Sequence, residues 1–220
     1  DKVFGVEAPK LKTFEFTFRV APKRAALAID GVKILKQSPE IASVEGRLML
    51  SESLPEGEVA RMIYPDGGSG AAEVSLKAGS EAGVYEFSVS PVNRHTEDDR
   101  LTVVFDGHSA GFEKTASAEV TIPGTDGFKV LSAKKKDGAE PYIQVTLSQP
   151  LDPLADLSGM FILSGDGRSY ATSDGNIVRV FYEKKTRPSD IILTVSEELK
   201  DFRGNRLGAD WTAEFRSDEL

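Results

Sequence analysis

The sequence predicts an all-β protein made of two tandem antiparallel β-sandwiches of the immunoglobulin-like kind, with one short helix in the first. Three observations support this fold class. Apolar residues recur at every second position, which is typical of strands with one buried face. Short strand-like runs follow one another at roughly ten-residue spacing, with turn residues between them. The length of 220 residues suits two domains of about 100 residues each.

The alternating runs define the strands in order. In the first, Phe14, Phe16 and Phe18 alternate with polar residues. The further predicted strands are Val44–Leu50, Ala71–Leu76, Val84–Val89, Leu101–Phe105, Ala116–Ile122, Phe128–Ala133, Tyr142–Leu147, Gly159–Leu163, Asn176–Tyr182, Ile191–Val195 and Trp211–Phe215. Turns are predicted between them at Pro65-Asp66-Gly67-Gly68, Asp106-Gly107, Gly124-Thr125-Asp126-Gly127, Asp137-Gly138, Gly165-Asp166-Gly167 and Asp174-Gly175.

One segment favours a helix. Ser53 and Glu56 have the spacing of a capping box, and Pro55 stands near the first turn. Val59, Met62 and Ile63 then fall on one helical face. We expect a short helix that connects two strands and turns its apolar face to the core.

The best candidate for a boundary is Pro123-Gly124-Thr125-Asp126-Gly127, which contains only turn-forming residues between two strands. It predicts a first domain over residues 1–124 and a second over 125–220. Five residues allow little slack, so the two domains are expected to sit end to end with restricted motion.

Composition excludes several function classes. The net charge of −8 and the pI near 5.0 argue against a nucleic-acid or anionic-membrane surface. The basic run Lys134-Lys135-Lys136 is interpreted as a solvated strand end or turn.

The chain has no cysteine, which removes disulfides, thiolate metal sites and cysteine nucleophiles. No apolar run reaches the length of a membrane span, and no signal segment is recognisable. Because the chain opens on Asp1, we expect a processed or excised piece.

The histidines are the first candidates for catalysis. His108 lies close in sequence to Asp106 and Ser109, and His95 lies in a polar stretch between strands. A Ser–His–Asp triad is assembled from separate elements with an oxyanion hole, and no Gly-x-Ser-x-Gly elbow is present. Neither histidine has a second one at metal-ligand spacing. The sequence therefore disfavours catalysis and zinc binding at both.

Carboxylates are the second candidates, since a facing pair would serve glycoside hydrolysis. The acids considered are Asp98, Asp99, Asp152, Asp156 and Asp174, and all fall in predicted turns, where aspartate bends and caps the backbone. Calcium binding by loop oxygens stays open, although no EF-hand loop is present. The sequence thus assigns no catalytic, cofactor-binding or metal-binding residue and requires no cofactor.

Two further features are interpreted as structural. The stretch Gly67-Gly68-Ser69-Gly70 lacks the Lys-Ser/Thr of a phosphate loop and is predicted to be a hairpin loop. Trp211 alternates with Ala213 and Phe215, so it is predicted to belong to the core and not to a sugar-stacking platform.

A charged stretch near the end, Leu199-Lys-Asp-Phe-Arg-Gly-Asn-Arg-Leu207, resembles a ligand loop because it carries Asp201, Arg203 and Arg206. The alternative is a turn in which Asp201 and Asn205 satisfy the backbone and Gly204 or Asn205 takes a positive φ. We expect the turn, which would return the strand ending at Val195 as Trp211–Phe215.

The order of motifs resembles a known family. The second half contains Val145-Thr-Leu-Ser-Gln-Pro-Leu-Asp152, Leu157-Ser-Gly, Asn176-Ile-Val-Arg-Val180 and Leu199-Lys-Asp-Phe-Arg-Gly-Asn-Arg-Leu207, and the first half contains Phe14-Glu-Phe-Thr-Phe-Arg-Val20, Val44-Glu-Gly-Arg-Leu48 and Val120-Thr-Ile-Pro-Gly124. This pattern resembles the Ig-like modules near the N-terminus of bacterial alpha-2-macroglobulins, also called large extracellular alpha-helical proteins.

The resemblance implies a protease trap in the cell envelope, periplasmic or at the cell surface, that is often lipid-anchored through an N-terminal cysteine upstream of Asp1. Its thioester motif, Cys-Gly-Glu-Gln, needs a cysteine that this chain lacks, so no functional residue transfers. The fragment would then be non-enzymatic scaffold. Its partners would be the other domains of the parent, with an exposed apolar patch where a neighbour is missing, and target proteases reached through the parent. The alternatives are a surface-layer or adhesion module that binds glycan or protein through its turns, and a small hydrolase that uses loop carboxylates.

Overall fold

The computed structural model describes residues 21–67, 72–164, 168–183 and 190–216. Over these ranges the strands are β1 Ala25–Ile34, β2 Ile41–Leu50, β3 Ile63–Asp66, β4 Glu73–Ala78, β5 Val84–Asn93, β6 Asp99–Phe105, β7 Ala116–Ile122, β8 Val130–Lys136, β9 Tyr142–Leu147, β10 Phe161–Leu163, β11 Ser169–Asp174, β12 Ile177–Tyr182, β13 Ile191–Val195 and β14 Trp211–Phe215. One short helix, α1 Glu56–Val59, and a 3₁₀ turn at His108–Ala110 complete the elements described.

The first sandwich packs the sheet β1-β2-β5-β4 against the sheet β3-β6-β7, and all of their ladders are antiparallel. Strand β2 shows why its sequence forms such a layer, because every second residue from Ala42 to Leu50 is buried. Both sheets contribute to one apolar cluster. At its centre the rings of Phe105 and Phe112 meet edge to face, with centroids 5.4 Å apart.

The second sandwich packs the sheet β11-β12-β9-β8 against the sheet β10-β13-β14. Its separate cluster is built on fully buried residues such as Ile143, Leu147 and Leu193. Trp211 is partly buried and packs against this cluster, as predicted for a core residue. Strand β13 pairs antiparallel with β14, with Val195 opposite Trp211.

The structure confirms the all-β fold class of antiparallel sandwiches. Four strands, β7, β9, β13 and β14, have the predicted bounds, and the other predicted strands among the described residues shift by up to four residues at either end. The predicted strand at Phe14–Phe18 lies outside the described residues. The division into domains 1–124 and 125–220 stays a prediction; the last strand of the first sandwich ends at Ile122 and the first strand of the second begins at Val130.

Three strands escaped the sequence analysis: β1, β3 and β11. Strand β1 alternates weakly and carries a β-bulge between Ile29 and Gly31, which shifts its inward-facing positions. Strand β3 contains Pro65 and Asp66, which were predicted to form a turn; as an edge strand it tolerates the proline. Strand β11 is polar and also lies at an edge, so its pairing with β12 and not its own pattern makes it a strand.

The predicted helix exists but is capped differently. Its N-cap is Pro55, no side chain caps it, and Glu56 instead accepts a hydrogen bond from the backbone N–H of Ala78 at 2.7 Å. The expectation that Ser53 caps the helix is therefore wrong. Val59 and Met62 are buried as predicted, but Ile63 belongs to strand β3, because the helix ends after one turn.

Candidate functional site

The most specific arrangement of polar side chains in the described residues lies where the two sandwiches meet. The first sandwich contributes the connection between β1 and β2 and the segment after β5. The second contributes the segment after β9 and the turn between β11 and β12. The segment 123–127 runs between them.

Arg94 stands at the centre of this junction and is buried, with only 6% of its surface exposed. Its guanidinium donates to the carbonyl oxygens of Pro123 at 2.9 Å, Gly124 at 2.7 Å and Ser148 at 2.8 Å. It also donates to the carbonyl of Pro39. One side chain thus ties together a loop of the first sandwich, the linking segment and the second sandwich, and uses the fork of donors that only arginine offers.

Among the described residues no carboxylate forms an ion pair with this guanidinium, so the dipoles of the backbone carbonyls stabilise its charge. Burial, reinforced by the nearby positive charge of Arg203, lowers the pKa of Arg94 to about 10. The side chain therefore remains protonated at neutral pH and keeps all of its donors.

Gln149 completes the cluster from the second sandwich. Its side-chain oxygen lies 3.4 Å from both terminal nitrogens of Arg94. Its amide nitrogen donates to the carbonyls of Gly124, Thr125 and Gly127 at 2.9–3.1 Å. The linking segment is thereby fixed along most of its length. At Gly124 any Cβ would lie 2.3 Å from the carbonyl of Thr96, so the close approach requires glycine.

A second contact joins the end of β1 to the turn before β12 through Asn176, which is fully buried. Its side-chain oxygen accepts the N–H of Ile34 at 2.7 Å, and its amide donates to the carbonyls of Val32 at 3.0 Å and Leu147 at 2.8 Å. The backbone N–H of Asn176 also donates to Ile34 at 3.1 Å. The preceding Gly175 has φ +63°, and a Cβ there would lie 2.1 Å from the carbonyl of Ile34.

Ion pairs surround these buried contacts. Lys33 meets Asp174 at 2.7 Å, Lys36 meets Asp152 at 2.8 Å and Lys129 meets Asp98 at 2.8 Å. Each pair joins one sandwich to the other and is partly exposed, so solvent screens the attraction and each adds little to stability. Their contribution is to fix orientation. Arg203 reaches Glu40 across the same junction at 3.9 Å.

The structure thus places three of the acids considered for hydrolysis in structural ion pairs. Asp98 also accepts the N–H of Gly124 at 2.8 Å, and this bond together with Lys129 holds its pKa below the usual range. Lys36 does the same for the pKa of Asp152. Asp156 bonds the N–H of Ser158 at 2.9 Å and also has a lowered pKa, mainly through Ser158. Asp99 bonds the N–H of Arg100 at 2.7 Å. Lowered pKa values are the opposite of what a general acid requires.

The histidine candidates do not form a triad with Ser109. His108 lies 2.5 Å from Asp106, which lowers the pKa of that carboxyl, but both side chains are more than 45% exposed. Among the described residues no hydrogen bond joins Ser109 to His108. His95 contacts Asp99 at 3.4 Å and is likewise exposed.

The charged stretch at 199–207 forms the predicted turn. Asp201 accepts the N–H groups of Arg203 and Asn205, both at 2.9 Å, and the amide of Asn205 at 2.9 Å. Gly204 takes the positive φ, at +88°, whereas Asn205 does not. The position of Arg203 beside Glu40 was not predicted.

Sequence reasoning gave no role to Arg94, and it quoted Gln149 and Asn176 without assigning them a function. One signal pointed toward the junction: Ser148, Gln149, Asp152 and Asn176 all belong to the motifs of the resemblance, and all lie there. Within residues 21–67, 72–164, 168–183 and 190–216, no group of His, Asp and Glu side chains is arranged to hold a metal ion. In the same ranges no helix has the length and apolar character to cross a membrane.

In comparisons with known proteins, no family model matched the chain and no curated protein matched it significantly.

Proposed function

We propose that the chain is a non-catalytic spacer: two sandwiches locked into one rigid unit within a bacterial alpha-2-macroglobulin-like protease inhibitor of the cell envelope. The observation that carries the spacer role is the buried junction around Arg94. Domains that move about a hinge have few, solvated contacts between them. Here four backbone carbonyls and the side chain of Gln149 surround the buried guanidinium of Arg94.

The family part of the proposal rests on the motif resemblance, and the junction adds a physical reason for those motifs. Ser148 and Asn176 are both buried and both bond across the junction. Such residues would be retained wherever two such modules must keep one relative orientation. Export to the periplasm or cell surface, with a lipid anchor upstream of Asp1, belongs to the same proposal.

A spacer inside a larger protein needs a surface for its neighbours, and one candidate is apolar. Ile162 on β10 and Ile192 on β13 face outward from the sheet β10-β13-β14, and they are 53% and 45% exposed. The two isoleucines are diagonal neighbours on adjacent strands, because Ile162 pairs with Thr194, two residues from Ile192. The proposal assigns this pair to contact with the other domains of the parent protein.

Two experiments test the proposal. Nitrogen-15 relaxation of the isolated chain should give the same rotational correlation time for both sandwiches, and independent tumbling would refute the rigid spacer. The product of the full-length gene should be a far longer chain that, when cleaved by a protease, protects large substrates from that protease but not small ones. A full-length product of only a few hundred residues would rule out the protease trap.

Aromatic side chains exposed in the loops would favour the adhesion alternative. The two tyrosines nearest to the predicted loops, Tyr64 and Tyr170, lie instead in strands β3 and β11. Recognition through the turns therefore receives no support from them, and the position of Tyr170 leads to a separate inference.

A further inference from the structure

The outer face of the sheet β11-β12-β9-β8 carries an ordered row of aromatic residues. The register places Tyr170 opposite Phe181 and Phe181 opposite Tyr142, and all three face away from the buried cluster. Tyr170 stacks on Phe181 with centroids 4.9 Å apart and an angle of 14°, and Phe181 contacts Tyr142 at 5.3 Å. Since strands are about 4.8 Å apart, the row extends over about 10 Å. It ends at the edge strand with Tyr170, which is 61% exposed.

Positive and amide side chains flank this row. Lys136 continues it on β8, and the next row toward the junction contains Lys134, Gln144, Arg179 and Thr172. Successive rows on one face lie about 7 Å apart. Neither of these two rows contains an acidic residue.

The three cations of these rows differ from most other lysines and arginines in the described part of the chain, which form ion pairs, as Lys33, Lys36 and Lys129 do at the junction. Across the described residues, no ion pair or hydrogen bond engages the side chains of Lys134, Lys136 or Arg179. In a chain of net charge −8, these three cations give a local positive charge to a face that also carries the exposed Tyr170 and the half-buried Phe181 and Tyr142.

We propose that this face binds an acidic polysaccharide whose sugar rings carry carboxylates, such as a polyuronate. The aromatic row offers apolar area for the C–H faces of pyranose rings. Arg179 offers a bidentate donor to a carboxylate, Lys134 and Lys136 offer point charges, and Gln144 offers both a donor and an acceptor for hydroxyls. The third row, nearest the junction, is not open to a ligand, because Thr146 and Ile177 are buried and Asp174 pairs with Lys33. The proposed site therefore consists of the aromatic row and the row that contains Arg179.

Charge and shape decide among the anionic polymers. Proteins held by a nucleic-acid backbone typically make about 6–10 phosphate contacts, which three cations cannot supply. An acidic peptide would use the cations, but its carboxylate side chains would gain little from the apolar faces of the aromatic row. A polyuronate uses both kinds of residue, because each sugar unit carries one carboxylate and one apolar ring face.

The test is titration of the whole chain with tetragalacturonate, followed by calorimetry and by amide chemical shifts. Its methyl ester is the matched neutral probe, and poly-glutamate and oligo-dT are the charged probes that lack pyranose uronates. Tetragalacturonate is expected to bind and to shift amides of Tyr170, Arg179 and Phe181. The methyl ester, poly-glutamate and oligo-dT should each bind at least about tenfold more weakly. The affinity for tetragalacturonate should fall as salt is raised.

Variants separate sugar recognition from charge alone. Y170A and R179Q should each weaken tetragalacturonate binding about tenfold, because one removes ring contact and the other a charged hydrogen bond. Y64A and R100Q alter an exposed tyrosine and an exposed arginine outside this face and should leave the affinity unchanged. Thermal unfolding checks that each variant is folded.

Four results would overturn the inference: no binding of tetragalacturonate, equal binding of poly-glutamate or oligo-dT, unchanged affinity of folded Y170A, or amide shifts confined to other surfaces. The amide-shift result decides the question with the unaltered chain, whatever the stability of the variants. A rigid spacer that fails to bind uronates would leave the proposed function intact.

Discussion

Replacement of Arg94 by alanine tests the junction most directly, because it removes every donor of the buried guanidinium at once. Four carbonyls, those of Pro39, Pro123, Gly124 and Ser148, lose this partner, although Gly124 keeps its bond from Gln149. A hydrogen bond to a charged group contributes about 1.5–3 kcal/mol, so four of them sum to about 6–12 kcal/mol. The burial cost of the charge, which the lowered pKa reflects, is relieved in the variant, and water enters the space left. We therefore expect a net loss of about 3–5 kcal/mol in the free energy of unfolding.

Urea unfolding measures this loss, with the fluorescence of Trp211 reporting the second sandwich and far-ultraviolet circular dichroism reporting both. In the natural chain the two signals should change together, and in R94A they should separate as the sandwiches uncouple. R100A is the matched control, since Arg100 is exposed and pairs with Glu119 at 3.3 Å; it should cost no more than about 0.5 kcal/mol. If R94A is destabilised by less than about 1 kcal/mol, or unfolds with superimposed signals, the junction does not lock the sandwiches.

Three further outcomes follow from the same contacts. G175A should destabilise the chain by at least about 2 kcal/mol more than G204A. Both glycines have a positive φ, but of the two only Gly175 has a neighbouring atom within 4 Å of an added Cβ. Equal melting temperatures of the two variants would contradict this close packing. N176A should cost about 3 kcal/mol in urea unfolding, since it leaves buried donors and acceptors of both sandwiches unpaired, and an unchanged midpoint would contradict that assignment. D98N should lower stability at pH 7 by no more than about 1 kcal/mol. The folded-state pKa of Asp98 lies below its usual value of 3.8, so its stabilisation is present above that value and disappears as the pH falls through the folded-state pKa. The unfolding curves of D98N and the natural chain should therefore converge in acid. A stability difference that stays constant with pH would contradict this role of Asp98.

Local pattern predicted the strands wherever burial alternates cleanly. Strand β7 (Ala116–Ile122) and strand β9 (Tyr142–Leu147) match their predicted bounds because each turns one apolar face to a core. Strand β11 has no alternating apolar pattern, because Tyr170 and Thr172 face solvent and only Ala171 on this strand packs against the buried cluster. Its place comes from hydrogen bonds to β12, which no single-strand pattern encodes.

The junction was hidden for a related reason. Arg94 follows a strand and precedes polar residues, which is the usual context of an exposed loop arginine. Its acceptor Ser148 is 54 positions away, and the carbonyl itself carries no side-chain signature. The predicted turn at Asp201 was found because its bonds span only two to four residues. Hydrogen bonds between a side chain and a backbone group far away in sequence are therefore the part of this fold that local sequence patterns could not predict.

The position of Ser148 also leads to an expectation about when the junction forms during synthesis. Ser148 follows β9, which pairs with β12, so we expect its carbonyl to reach its final place only after Tyr182 has left the ribosome and that ladder has closed. Until then the first sandwich carries Arg94 at its end with an incomplete set of acceptors, and water must solvate the guanidinium. On this reasoning, docking of the two halves is expected late in biosynthesis. A nascent chain arrested before residue 182 should present this arginine to solvent, where a reagent specific for guanidinium groups would find it.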